Sequence, residues 1–246
     1  VALAQGDGFR AMKDSRAGLR VGTAFNMSPC EPAGDSQADA DAAERYHRFA
    51  NCWFLDPALR GEYPHGAFLG GVPEEAMGVR EGDLARCRAP LDFIGINLYT
   101  RTRVRHAPEN PLFEALPLAE PQGPVTDMGW EVWPQSLYDM VMRISRDYAS
   151  EGRPPAIEIT ENGCAFADGP DPKTGRVGDR RRIDYHEAYL AALARAIEAG
   201  ADVRGYHAWS LLDNFEWAEG YRPRFGLVHV DYENNLKRTV KESGRW

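Results

Sequence analysis

The chain has 246 residues, 43% of them hydrophobic and 27% charged, which is the balance of an ordinary globular protein of one large or two small domains. A formal charge of −8 argues against nucleic acid or an anionic membrane as partner, and the 25 arginines (against four lysines) are scattered rather than gathered into a patch. The four cysteines, Cys30, Cys52, Cys87 and Cys164, show no metal-ligand spacing, and a chain of this size needs no disulfide framework, so a reduced, cytoplasmic protein is expected.

Val1-Ala2-Leu3-Ala4-Gln5 reads as the interior of a helix, uncapped, running to about residue 15. A strand follows from Leu19 to Asn26, then a helix over 39–55 with Phe49, Trp53 and Phe54 among its apolar residues, then a strand from Leu91 to Tyr99. Residues 101–129 read as one long connection with five prolines, a length associated with lids. Leu137, Met140, Val141, Ile144 and Tyr148 predict a helix over 136–150, ended by Gly152 and Pro154-Pro155, which launch a strand at 156–161. Ile183, Leu190, Leu193 and Ile197 stripe a helix over 182–199, and Val203 to Ser210 is a fourth strand. This alternation is that of βα units on a parallel sheet. Four such strands do not close a barrel of eight, so the sheet is either open or half of something larger. No segment has the length and apolarity of a membrane span.

The sharpest local signal is Ile157-Glu158-Ile159-Thr160-Glu161-Asn162-Gly163, a β-branched run that ends in a carboxylate and a turn. Strand parity puts Glu161 on the face of Ile157 and Ile159, opening onto the mouth of the sheet. Other strand ends carry Asn97 and Tyr99, two apart and so on one face, and the run Trp209-Ser210-Leu211-Leu212-Asp213-Asn214-Phe215-Glu216-Trp217; the long connection delivers Gly129-Trp130-Glu131. Aromatics beside carboxylates and amides suit a sugar, whose ring has apolar faces and whose hydroxyls need paired donors and acceptors. Trp53 and Trp133 read equally well as core. For Trp209 and Trp217, core packing is a poor account of Asp213, Asn214 and Glu216 between them.

On these residues the whole chain resembles the C-terminal part of glycoside hydrolase family 1, the family of the β-glucosidases. Leu91 to Asn97, Thr126 to Glu131, Ile159 to Gly163, Arg182 to Tyr185, Trp209 to Trp217, Arg224 to Val228 and Asp231-Tyr232 carry the resemblance. It implies an α/β fold, the C-terminal half (strands 5 to 8) of a (β/α)8 TIM barrel, with residues 1–246 as a portion of one catalytic domain. It implies that Glu161 is the nucleophile of a retaining mechanism, that Tyr99 orients it and that Asn97 lines the same wall. Glu216 and Trp217 would recognise hydroxyls, Trp209 would be the stacking floor, Trp130 part of an aglycone platform, and Phe225 a residue near the site's edge; Asn26 would also face the cleft. The implied partners are a β-glucoside or short β-linked oligosaccharide and the missing N-terminal half of the barrel.

Departures from the family pattern are equally specific. Its general acid/base lies in an Asn-Glu-Pro motif, and that motif is absent here. Leu98 and Glu158 replace residues that are often aromatic, and parity points both away from the barrel axis toward the helices. Retaining hydrolysis needs two carboxyl groups roughly 5–5.5 Å apart and no metal or organic cofactor. Glu161 fills one role only, so the chain alone is expected to be inactive. A non-catalytic carbohydrate-binding or structural half-barrel is the competing reading. A 6-phospho-β-glycosidase is disfavoured because Glu216 would repel a phosphate. Nothing in this half separates glucosyl from galactosyl or fucosyl substrates.

Overall fold

The computed structural model describes residues 1–246. Along the chain lie α1 (Ala2–Ser15), β1 (Gly22–Asn26), β2 (Cys30–Pro32), α2 (Gln37–Ala50), α3 (Cys52–Leu59), α4 (Asp83–Cys87), β3 (Phe93–Asn97), β4 (Thr102–His106), β5 (Ala115–Leu118), α5 (Gln135–Asp147), β6 (Ile157–Asn162), α6 (Arg180–Glu198), β7 (Val203–Ala208), β8 (Val228–Asp231) and β9 (Lys237–Val240). The main sheet is parallel in the order β1-β3-β6-β7, so β1 and β7 are its edges. This is the expected arc of four strands, each entered from a helix on the same side.

The core lies between the sheet and helices α3, α5 and α6. Phe25, Ile94, Ile96, Leu98, Ile157 and Ile159 project from the strands into Leu55, Leu137, Met140, Val141, Ile144, Tyr185, Tyr189 and Leu193. Each such aliphatic contributes about 1.5–3 kcal/mol by leaving water. The α5 stripe is buried as its spacing predicts. On α6 the expected Ile183 and Leu193 are buried, Ile197 is exposed, and Arg182, Tyr185, His186, Tyr189, Ala192 and Ala196 join the buried face. The helix therefore presents polar aromatic residues to the sheet beside the aliphatic ones.

The opposite, inner face is lined by small residues where strands approach closely. A Cβ on Gly95 would press on Ala24 and the Thr160 methyl, and one on Gly22 would overlap the Phe93 ring. Glu158 is on this inner face too, over Gly205, with Arg20 and His207 at 3.9 and 3.8 Å. Parity placed it toward the helices. It also placed Glu161 with Ile157 and Ile159, yet these two isoleucines face the helices. A bulge corrects both assignments: Ile96 pairs with Ile159, but Asn97 pairs with Glu161, so Thr160 and Glu161 together oppose one residue. Past the bulge, Asn162 points into the core and Glu161 does not.

Two further boundaries shift. The helix expected over 39–55 is two helices that meet at Asn51, whose N–H still bonds the His47 carbonyl while its side chain bonds the Ser28 backbone through both Oδ1 and Nδ2 (2.9 Å each). The long connection is not irregular throughout. Thr102-Arg103-Val104-Arg105-His106 alternates with only Val104 fully buried, and β4 pairs parallel with β2 and antiparallel with β5. Pro117 fits because β5 is an edge strand.

The segments above the sheet converge on one cation. Arg182 is fully buried; it bonds Asp179 Oδ2 (2.9 Å) and the carbonyls of Phe166 (3.0 Å), Arg224 (2.8 Å), Phe225 (3.2 Å) and Cys164. It thereby joins the exit of β6, the start of α6 and the segment before β8. Arg182→Met is expected to cost about 3–5 kcal/mol by leaving Asp179 and these carbonyls unpaired. At about 2–4 °C per kcal/mol, that is a fall of roughly 10 °C in thermal midpoint. Circular dichroism of both proteins at equal length checks this; a shift below about 2 °C would remove Arg182 from the scaffold.

Candidate active site

The bulge delivers Glu161 to the inner face at the carboxyl end of β6. Tyr99, just past β3, donates its hydroxyl to Glu161 Oε2 at 2.6 Å. Burial first, then this hydrogen bond and the negative charges of Glu161 and Glu216, push the Tyr99 hydroxyl far above the ordinary phenol range, so it stays a donor. Asn97 stands two residues before it, and its Oδ1 accepts from the Thr160 hydroxyl at 2.6 Å. Asn26 is exposed at the end of edge strand β1, paired in register with Asn97. Gly163 ends the strand as the sequence requires: a Cβ there would overlap the Trp209 carbonyl.

From β7 the chain enters Trp209 through a cis Trp209–Ser210 peptide. Trp209 Nε1 and Asn214 Nδ2 both donate to Glu216 Oε1, at 3.0 and 2.9 Å, and the Ser210 hydroxyl donates to Asn214 Oδ1 at 2.8 Å. One Glu216 oxygen is thus held by two donors while Oε2 is left for further partners. Trp217 is 88% exposed and sits at φ +43, a left-handed conformation that is costly for a bulky side chain. Trp130 packs on Tyr99, with ring centroids 5.1 Å apart.

Three sequence assignments change. Phe225 is only 2% exposed and packs edge-on to Tyr99 and tilted to Trp130 (6.2 and 6.0 Å), so it backs the rings and does not form an open edge. Glu131 faces away from the cluster, bound bidentately by Arg101 at 2.9 and 3.0 Å. Asp213 is buried between Lys241 (3.0 Å) and Arg224 (3.2 Å) and accepts the Gly226 and Val230 amides. Asn214, one of the polar residues between Trp209 and Trp217, holds Glu216, while Thr160, to which the sequence assigned no role, holds Asn97 and was marked only by its place beside Glu161. No group of three or more His, Cys, Asp or Glu is arranged to hold a metal.

The model of glycosyl hydrolase family 1 matches residues 1–246, the entire chain. The chain belongs to that family. It is 38% identical to β-glucosidase A of Acetivibrio thermocellus over 99% of this chain and 54% of the relative, and 39% identical to the bifunctional β-D-glucosidase/β-D-fucosidase of Bifidobacterium breve over 96% and 52%. The β-glucosidase of Thermotoga maritima solved with glucoimidazole superposes with a TM-score of 0.87 at 36% identity, over 99% of this chain and 53% of that one. The chain spans about half the length of the curated relatives it matches. Its four-stranded arc is accordingly the C-terminal half of the family's (β/α)8 barrel.

Behind Glu161, β6 is tied to α6 through buried polar groups. Tyr206 donates to Asn162 Oδ1 at 2.8 Å, so its oxygen accepts from His186 Nδ1, 3.0 Å away. Burial lowers His186, and likewise His47 beside Asn51, to about 4. The unfolded chain takes up these protons near 6.5 and the native state refuses them, so stability is complete above about pH 6.5 and falls as pH drops toward 4. Between pH 7 and 5.5 each histidine should remove about 1 kcal/mol. Urea midpoints across that range should fall in the wild type and fall less in His186→Gln. A flat wild-type profile would contradict the buried neutral histidines.

Proposed function

We propose that residues 1–246 supply the nucleophile-bearing part of a single retaining β-glucosidase domain. Its substrate is a terminal β-D-glucosyl residue of a β-glucoside or short β-linked oligosaccharide, with galactosyl and fucosyl residues as related substrates. The observation that carries this reading is the hydroxyl of Tyr99 at 2.6 Å from Glu161, at the end of a parallel strand and beside an acceptor built around Glu216.

In the first step the Glu161 carboxylate attacks the anomeric carbon as the bond to the aglycone oxygen breaks, giving a glycosyl ester. The departing oxygen takes a proton from an acid outside this chain's site. Water, deprotonated by that same group, then attacks the anomeric carbon and frees Glu161. Donation from Tyr99 holds the orientation of the carboxylate that attacks. Glu216, gripped through Oε1 by Trp209 and Asn214, suits acceptance of sugar hydroxyls rather than proton donation. Trp209 offers the stacking floor, Trp217 joins Glu216 in recognising hydroxyls, and Trp130 stands on the aglycone side. The other half of the barrel would pair with the edges of β1 and β7, and the four free cysteines suit a reducing, cytoplasmic setting.

In the complete barrel, supplied by a full-length gene product or by grafting residues 1–246 onto the first half of a relative, Glu161→Gly is expected to fold but to lose hydrolysis of aryl β-glucosides. Azide should restore turnover of an activated substrate, since a small anion can occupy the vacated space and attack in place of the side chain. Activity near wild type in Glu161→Gly would end the assignment. Residues 1–246 alone lack the proton donor, ordinarily worth about 10²–10⁴-fold, and should give no turnover above background. Cellobiose cleavage by that purified piece would show that the acid has been misplaced.

A further inference from the structure

We infer that Tyr185 and Tyr189 of α6 are positioning residues that hold Tyr99 against Glu161. This rests on the reading of Glu161 as nucleophile. The carbonyl of Tyr99 accepts two phenol hydroxyls, from Tyr189 at 2.9 Å and Tyr185 at 3.2 Å. A carbonyl has two lone pairs, and both are used. The two tyrosines are one helical turn apart, fully sequestered, with rings stacked at 4.1 Å and 18°.

Tyr185 also accepts from Asn162 Nδ2 at 3.1 Å, and Tyr189 from the Trp133 amide at 3.0 Å. With those donors pointing in, each phenol has its single proton to give, and the Tyr99 carbonyl lies within reach of both. Asn162 directly follows Glu161, and its amide also holds the Leu98 carbonyl at 2.7 Å. Tyr185 therefore touches both partners of the Tyr99–Glu161 pair from behind, one through the Tyr99 backbone and one through the neighbour of Glu161. Tyr189 adds the segment that carries Trp130. Packing alone would be served by phenylalanine; what tyrosine adds is a fixed height for one carbonyl and, through it, for the donor on Glu161.

Displacing a catalytic group by about 1 Å can cost on the order of 10²-fold, and a hydrogen bond of this length tolerates little drift. The test uses Tyr185→Phe, Tyr189→Phe, their combination and Tyr99→Phe in the complete barrel. A 2-deoxy-2-fluoro glucosyl fluoride traps the glycosyl ester, so its inactivation rate reads the nucleophilic step; kcat, KM and thermal midpoint are measured beside it. Tyr185→Phe/Tyr189→Phe should slow inactivation and lower kcat by about 10–100-fold with KM little changed. With Tyr99 already replaced by Phe, the same pair should cost no more than about two-fold, because the group being positioned is gone. Equal losses in both backgrounds would overturn the inference, as would a loss confined to thermal midpoint. Should the combined variant not fold, each single variant against Tyr99→Phe gives the same cycle. If the wild-type label fails to reach Glu161, the nucleophile reading itself falls, and that outcome is distinct from additivity in a correctly labelled enzyme.

Discussion

One unmatched residue in β6 determines the character of this molecule. Because Thr160 and Glu161 share a single partner, Asn97, the strand's alternation slips by one just before it ends. Without the slip, Glu161 would follow Ile157 and Ile159 into the helix layer, where a carboxylate has no counter-charge, and Asn162 would face the cleft. With it, Asn162 enters the core and finds partners for both ends of its amide in Leu98, Tyr185 and Tyr206. The bulge is stabilised from the protein side, by satisfied buried hydrogen bonds, and its product is presented on the open side.

Around that strand end, buried charge provides connection more than net stabilisation. Desolvating Arg182 and Lys241 is expensive, and even well-made ion pairs recover that cost only when every remaining donor is satisfied. Arg182 meets the condition by collecting backbone carbonyls from two segments and the Asp179 carboxylate from a third. Asp213 meets it by accepting from Lys241, Arg224 and two amides. Both knots fix loops that no regular structure holds, and the loop from Trp209 to Trp217 hangs between them.

The order of strands and helices was legible because periodicity is a local property: the α5 stripe and the Ile-x-Ile run need no tertiary information. The strand-end acids and aromatics were legible as a group for the same reason. Parity was the point of failure. A bulge leaves no mark in composition, so parity tied Glu161 to the face of its isoleucine neighbours and thereby sent Glu158 to the helix side. Glu131 and Asp213 misled differently. Glu131 adjoins Trp130 and Asp213 falls midway between Trp209 and Trp217, as sugar ligands would, but their partners are Arg101 and Lys241, 30 residues distant in one case and 28 in the other, and no short window contains them. The strands β4 and β5 were hidden by prolines, and the polar stripe of α6 by the habit of reading only aliphatic residues as buried.

Arg101 has a consequence for how this surface can vary. It lies flat on the Trp133 ring, 3.5 Å from its centre, and grips Glu31 at 2.7 Å as well as Glu131, while Trp133 Nε1 bonds Glu31 at 3.0 Å. The base of the long connection is thereby anchored independently of its outer turns, in which the prolines lie. The turn residues between β5 and Gln122 can drift, lengthen or shorten without disturbing that anchor, so this wall can vary at its outer turn while its inner course stays put.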